Sequence, residues 1–327
     1  MRAVIDMDFV KFAAACLGEE RSIKVIHKQS GNEKTFKTRT EFWGDWRKKQ
    51  GGYLAEINKG RETPFVAEDF DIVDVQTPHP KSHPLRCADT QIESILTKLG
   101  TSSYYGFVGK GDSFRVEYST LLKYKGNRTD LIRPIYLNDV AEYLVKKHNT
   151  DWQTDIEVDD RVVQEWYSDK SLVVVGAEKD YLGCEINFFN PDTMDTPTKI
   201  RGLGGLYING KKEVKGQGRK WHYQQTLSAD FADNYKANCF SDKKWGEKSS
   251  FQLLDPCKTD KECFEALVKG YKTLYPEPKV VTGWRGEEIK IDWLYVLNGN
   301  FNLSHLHRWK NDFVDVKTVL DKLGVAY

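Results

Sequence analysis

Six carboxylates crowd the middle of the chain. Asp155-Ile-Glu157-Val-Asp159-Asp160 precedes an apolar run, Leu172 to Val175, that ends in Gly176-Ala-Glu178-Lys-Asp180. An ionised carboxylate removed from water without a partner costs on the order of several kcal/mol, so such a concentration calls for compensating charge. Divalent cations are the usual compensation. Oxygen-only ligand sets suit Mg2+ or Mn2+, whereas zinc calls for His or Cys ligands, and neither is clustered here. A plainer reading stands beside this one: acids at a helix start favour the helix dipole, which would account for Glu157 to Asp160 without any metal.

Two further pairs of acids need the same explanation. Asp6 and Asp8 follow Ala3-Val4-Ile5, a first strand that delivers carboxylates at its C-terminal end. Asp230 and Asp233, in Ser228-Ala-Asp-Phe-Ala-Asp-Asn234, lie three apart and share a face if that segment is helical.

The elements that must position these groups are legible from patterning. The chain has 327 residues, 39% of them hydrophobic, with 9 Trp, 16 Tyr and 16 Phe, enough for one large or two modest domains with a real core. Strand 2–7 leads to a helix over Phe9 to Leu17, then to a hairpin of Ile23 to His27 with Thr35 to Thr38. Residues 40–69 are rich in Trp, Gly and charge and read as a surface insertion, the Trp residues anchoring a core. Phe70 to Val75 is a strand. His79 and His83 lie in a Pro-flanked loop that reads as a solvated turn before a metal site. Thr90-Gln-Ile-Glu93 is a capping box that opens a helix closed by Gly100. Tyr104 to Val108 is a strand, Pro134 to Lys147 a helix, Arg161 to Tyr167 a helix and Ser171 to Val175 a buried strand. Alternating strands and helices predict a parallel, doubly wound α/β sheet, with ligands outside the C-terminal strand ends, where Asp6, Glu178 and Asp180 fall. Asn209-Gly210 predicts a type I′ hairpin. Helices dominate from His222 on, among them Trp245 to Ser250 and Lys261 to Leu274.

Charge is nearly balanced, 49 basic against 48 acidic residues, so no global field announces nucleic acid. Segregation does. Lys110 to Arg133 holds six bases, and Lys199 to Lys220 holds seven against Glu213 alone. The six cysteines lack CxxC spacing, which predicts a reducing compartment. No signal-peptide pattern and no run of apolar residues long enough to span a membrane appear, so a cytoplasmic protein without a membrane partner is expected.

Several of these segments together resemble the flap endonuclease and 5′-3′ exonuclease superfamily, a PIN-like group that includes the 5′ nuclease domain of bacterial DNA polymerase I and the phage exonucleases. Ser113-Phe-Arg115 followed by Tyr124-Lys125-Gly-Asn-Arg128 resembles its TFR and YKxxR elements. Ile156-Glu157-Val-Asp159-Asp160 resembles VEADD, Glu178-Lys-Asp180 resembles DKD, and Ala229-Asp230-Phe-Ala-Asp233-Asn234 resembles GDxxDN. Gly246-Glu-Lys248-Ser resembles the glycine turn of a helix-hairpin-helix, whose amides bind duplex phosphates.

The resemblance implies a FEN-type central, mostly parallel sheet flanked by helices, a helical arch and a helical C-terminal region of helix-hairpin-helix type. It implies a catalytic domain over 1–190, with an insertion near 18–87, and a DNA-binding region over 191–327. Two Mg2+ ions, replaceable by Mn2+, would be held by Asp6, Glu157, Asp159 and Asp160 at one site and Glu178, Asp180, Asp230 and Asp233 at the other. Lys125 and Arg128 would reach the scissile phosphate, with Asp6, Asp159 and Asp180 completing the catalytic set. Arg115, Lys123, Arg133, Gly246 and Lys248 would join Lys125 and Arg128 in holding DNA. The implied activity is a 5′-3′ exonuclease, monomeric, phage-encoded and working in host cytoplasm in DNA replication, recombination or nucleotide salvage. Its substrate would be duplex DNA with a 5′ end, flap or gap, or an RNA–DNA hybrid. Two alternatives remain open: a flap endonuclease or primer-removing nuclease, and a nucleic-acid-binding protein weakened in catalysis. The second arises because Glu178 replaces the first Asp of DKD and Val108 stands where the family has Asp, so that Asp8 or Asp112 compensates or the first ion is held less well.

Overall fold

The structure, a computed structural model, describes residues 1–129 and 131–327. The chain divides into two compact units. The first comprises 1–11, 91–132 and 141–327, and the second 12–90 and 133–140.

In chain order the principal strands are β1 (Arg2–Asp6), β2 (Glu19–His27), β3 (Glu33–Phe36), β4 (Phe70–Pro78), β5 (Tyr104–Ser113), β6 (Thr150–Asp155), β7 (Leu172–Val175), β8 (Asn187–Phe189) and β9 (Thr198–Lys199), followed by β10 (Gly205–Ile208) and β11 (Val214–Gln217). The principal helices are α1 (Met7–Cys16), α2 (Ser82–Leu99), α3 (Leu137–Lys147), α4 (Val158–Ser168), α5 (Arg219–Leu227), α6 (Glu247–Leu254), α7 (Asp260–Leu274), α8 (Trp293–Ser304) and α9 (Val316–Leu323).

The first unit is built on a six-stranded sheet in the order β9-β8-β7-β1-β5-β6. All neighbours are parallel except β9, which runs antiparallel to β8. Strands covered on both faces read as unbroken apolar runs, and β7 (Leu-Val-Val-Val) is buried at every position. Ile5 is level with Val175, so β1 and β7 end within a residue of each other, while β5, whose Phe107 is level with Asp6, runs on to Ser113. Phe107 packs on one face with Val4, Val162, Val163 and Val174. The neighbouring Val108, also buried, points to the opposite face, as strand alternation requires. Helices α5 to α9 of the same unit share a second core that includes Leu227, Leu267, Tyr271, Leu297, Val316 and Leu320. Helix α7 opens on a reciprocal capping box between Thr259 and Glu262.

The second unit centres on an antiparallel sheet, β3-β2-β4, with Ile23, Val25, Phe36 and Phe42 as its core. It contains the stretch read as an insertion.

Four expectations need correction. The stretch 110–133 contains no long helical arch: among the described residues it holds Phe114–Tyr118 and one 3-10 turn, Gly126–Arg128. Gly111 and Gly126 interrupt the segment, and pieces this short lack the length that sustains a helix. Helix α2 begins at Ser82, so Thr90 lies inside it and His83 belongs to its first turn, where Pro84 needs no partner for its missing N–H. Asn209 and Gly210 open a five-residue connection: Lys212 takes the left-handed conformation (φ 63°) and the Asn209 side chain accepts the amides of Lys211 and Glu213. The Gly246 turn follows α5 by a stretch of irregular chain and a two-stranded ribbon (Ala229–Asp230 with Tyr235–Lys236), so it is the N-cap of α6 and not the hinge of a tight helical hairpin.

Candidate metal and phosphate site

The C-terminal ends of β1 and β7, the start of α4 and the loop after α5 converge within the first unit. Glu157 is the N-cap of α4, and Asp159 and Asp160 occupy its first turn, where the helix dipole favours negative charge. Ligand atoms of Glu157, Asp159 and Asp160 lie within 4.8 Å of one another, and those of Asp180, Asp230 and Asp233 form a second such group. The two groups meet at Lys125. Its ammonium donates to Glu157 Oε1 and lies 3.8 Å from Asp233 Oδ1. Arg128 reaches Asp233 at 3.2 Å and the Ala232 carbonyl at 2.8 Å.

The local backbone sets this convergence. Lys125 adopts φ 54°, and its N–H donates to the Asp233 carbonyl at 3.0 Å, while the Asn234 side chain donates to the Lys123 carbonyl at 2.9 Å. Asp230 Oδ1 accepts the amides of Ala232 and Asp233, which turns the loop tightly enough to bring both carboxylates together. The loop is thus a turn, not the helix face expected for this pair.

Asp6 is buried, accepts the Asp8 amide at 2.9 Å and receives the Tyr181 hydroxyl at 2.9 Å. Burial, then the charge of Asp8, pushes its carboxyl up to about 7. Burial likewise raises Asp180 to about 7, against Lys179, with Asp233 and Asp230 adding to the rise. Asp159 is raised strongly, by removal from water and then by Glu157 and Asp160. Glu178 and Asp233 are also raised, burial leading in each. Asp230 goes the other way: burial opposes its ionisation, but Lys179, 2.8 Å away, holds it low.

Asp160 has a different surrounding. Arg115 grips it with two hydrogen bonds of 2.5 and 2.8 Å, and the His307 amide donates to it at 2.8 Å. Burial of this carboxyl is overridden by Arg115, which holds it below the usual range. Most of its acceptor capacity is therefore taken by protein partners, which sets it apart from Glu157 and Asp159. Arg115 corrects an expectation: it is 1% exposed and also donates to Glu157 and to the carbonyls of Leu303 and His305, so DNA cannot reach it.

Lys123 and Arg133 are exposed, as is Lys248, while Gly246 is half-buried. Arg133 belongs to the second unit. Among the carboxylates weighed against Val108, Asp112 is exposed. Asp8 instead accepts the Gly109 amide at 2.9 Å and pairs with Lys11 at 2.6 Å.

Sequence reasoning missed the supporting side chains. Tyr181 on Asp6, Tyr124 on Glu157, Gln225 on Asp180 and Lys179 on Asp230 fix the carboxylates from behind. Three of them adjoin acids or bases that the motifs named, but spacing gave no direction for their hydroxyl, amide or ammonium groups.

The donor set fits hard divalent cations. Asp8 and Asp160 have Lys11 and Arg115 as their own partners. Taken together, and with every carboxyl ionised, Asp6, Asp8, Glu157, Asp159, Asp160, Glu178, Asp180, Asp230 and Asp233 exceed their partners Lys11, Arg115, Lys125, Arg128 and Lys179 by four negative charges, the charge of two such ions.

No family model matches the sequence. No curated protein matches it either. In fold the chain is similar to the T5 D15 protein co-crystallised with metal ions, at 15% identity and TM-score 0.40, over 73% of this chain and 90% of that one. It is similar to T5 5′-exonuclease with bound zinc, at 17% identity and TM-score 0.43, over 73% and 88%. It is also similar to a variant of the bacteriophage T5 D15 flap endonuclease in a pseudo-enzyme-product complex with DNA and metal ions, at 13% identity and TM-score 0.40, over 73% and 91%.

Proposed function

We propose that the chain is a 5′-3′ exonuclease that hydrolyses DNA phosphodiester bonds with two Mg2+ ions, Mn2+ serving in their place. One observation carries this reading: two carboxylate groups, Glu157-Asp159-Asp160 and Asp180-Asp230-Asp233, are bridged by the single ammonium of Lys125 beside the ends of parallel strands, in a cluster where acids outnumber bases. Glu157 and Asp159, with Asp6 beside them, would hold one ion, and Asp180, Asp230 and Asp233, with Glu178, the other. When bound, the ions supply neutralisation of the phosphate oxygens and activation of the attacking water.

The remaining work belongs to the protein. Lys125 and Arg128 lie against the carboxylates and place positive charge where a phosphate must approach, favouring the extra charge that develops as the bond breaks. Arg115 and Asp160 set the α4 N-terminus, and with it the direction of Glu157 and Asp159. Tyr181 holds Asp6 in place. The 5′ polarity and the choice of DNA rest on the resemblance of the Tyr124-Lys125-Gly-Asn-Arg128 element to that of the 5′ nucleases, and the neighbouring exposed Lys123 adds positive charge for a phosphate backbone. Work on replication or recombination intermediates of a phage is part of the same proposal.

The test is hydrolysis of 5′-labelled duplex and flapped DNA with Mg2+. The intact protein should release short products from the 5′ end, and Asp159→Asn should lose at least about 10²-fold in rate while keeping its fold and its affinity for DNA. Cleavage that survives chelation of divalent ions, or that persists above a few per cent in Asp159→Asn, would refute the assignment.

A further inference from the structure

The second unit carries a feature for which carboxylate chemistry has no use. A short hairpin, Gly44–Asp45 paired with Gln50–Gly51, has at its tip Trp46-Arg47-Lys48-Lys49. Trp46 is 81% exposed, whereas Phe42 is fully buried and Trp43 stacks edge-on against it at 4.6 Å. The core of this unit is therefore complete without Trp46, and its indole is held in water next to three cations.

The backbone of the tip is fixed from within. Asp45 Oδ1 accepts the amides of Arg47 and Lys48 at 3.0 and 3.2 Å, and the Lys49 amide donates to the Trp46 carbonyl at 3.3 Å. Lys49 takes the left-handed conformation at φ 53°. Gly44, at φ 94°, lies so close to Gln50 that a Cβ would fall 2.4 Å from its carbonyl oxygen. Lys48 has Asp45 at 3.4 Å, and the Arg47 guanidinium is 5.4 Å from the indole centroid. Among the described residues Arg47 and Lys49 have no carboxylate partner.

We infer that this tip binds single-stranded nucleic acid, the indole stacking on an unpaired base and Arg47, Lys48 and Lys49 meeting the adjacent phosphates. An exposed ring serves a partner with a flat π face, and a base offers one only when it is out of a duplex. The three cations serve a polyanion with closely spaced charge. An acidic peptide would occupy the cations and leave the ring idle. A lipid surface would need more apolar area than one ring flanked by Asp45 and Gln50 provides. The inference does not depend on hydrolysis.

The experiment uses the full chain with divalent ions chelated, and measures anisotropy of labelled oligo(dT), oligo(U) and a blunt duplex. Trp46→Ala should weaken oligo(dT) and oligo(U) alike by about 10-fold, since the tip reads no sugar, and leave the salt dependence unchanged. Trp46→Phe should recover most of the loss. Replacing Arg47, Lys48 and Lys49 together with Ala should lower the slope of log affinity against log salt by about 2. Unchanged single-strand affinity in both variants overturns the inference. So does a Trp46→Ala loss that is equal on the blunt duplex, or one seen only on vesicles of anionic lipid. Because every measurement is made without metal, failure here leaves the carboxylate site untouched, and failure of cleavage leaves the tip untouched.

Discussion

Lys125 is the residue on which the two carboxylate groups converge, and it is held there by a left-handed backbone as well as by charge. Lys125→Ala should therefore lower the cleavage rate by about 10²-fold with little change in DNA affinity; a fall in affinity alone would make it a tracking charge. Val108 gives a second expectation. It is wholly buried on the face opposite Phe107, and Asp8 already accepts the amide of Gly109, the next residue of the same strand. Val108→Asp should accordingly lower the melting temperature by roughly 5 °C or more, through burial of an unpaired carboxyl, and leave the Mg2+ concentration for half-maximal cleavage unchanged. A folded variant with a lowered metal requirement would show that the position faces the ions. The acids themselves were legible in the sequence because their density has few explanations. The fate of each was not, since Asp159 and Asp160 are adjacent in sequence and only the structure shows that Arg115 claims the second.

At the scale of elements, the parallel strands were readable because a strand covered on both faces must be apolar throughout, as Leu172 to Val175 are. Boundaries were less readable where two signals compete. Thr90 and Glu93 have the spacing of a helix start, but Ala88, Ile92, Ile95 and Leu99 are all buried along one helix that already began at Ser82. The loop carrying Asp230 and Asp233 has the spacing of a helix face and is instead closed by its own aspartate. The buried Arg115 joins three elements: the short helix Phe114–Tyr118, the α4 start through Asp160, and the end of α8 through the Leu303 carbonyl. Arg115→Met would leave Asp160 buried without its cation and should destabilise the fold by about 3–5 kcal/mol in denaturant titration. Arg115→Lys should not restore it, because an ammonium cannot make the forked pair and reach both carbonyls as well. Stability close to the parent in either variant would mean that water replaces the guanidinium.

For the molecule as a whole, the raised carboxyls make stability depend on pH in a definite direction. Asp6 and Asp180 sit near 7 in the folded chain against about 3.8 when exposed, and Asp159 is raised as well. The folded state then binds more protons than the unfolded one across that interval, so metal-free protein should lose stability as pH rises from about 4 through about 7. Thermal melting at pH 5 and pH 8 checks the sign. Added Mg2+ should restore stability at pH 8 and do little at pH 5, where protons already occupy the site. A metal-free melting temperature that rises over the same interval would contradict the burial of these groups.

Strand β1 lies between β5 and β7, whose first paired residues are Tyr104 and Leu172. During synthesis this apolar segment therefore leaves the ribosome long before either neighbour exists, and it cannot be paired in the sheet until both have been made. Its sheet is a product of late, long-range closure, which is slow because chain entropy is lost before contacts repay it. The strand that ends in Asp6 thus stays without its sheet partners through much of synthesis, exposed to the misfolding that long-range pairing invites, and the carboxylate cluster cannot assemble before the segment carrying Asp230 and Asp233 has emerged.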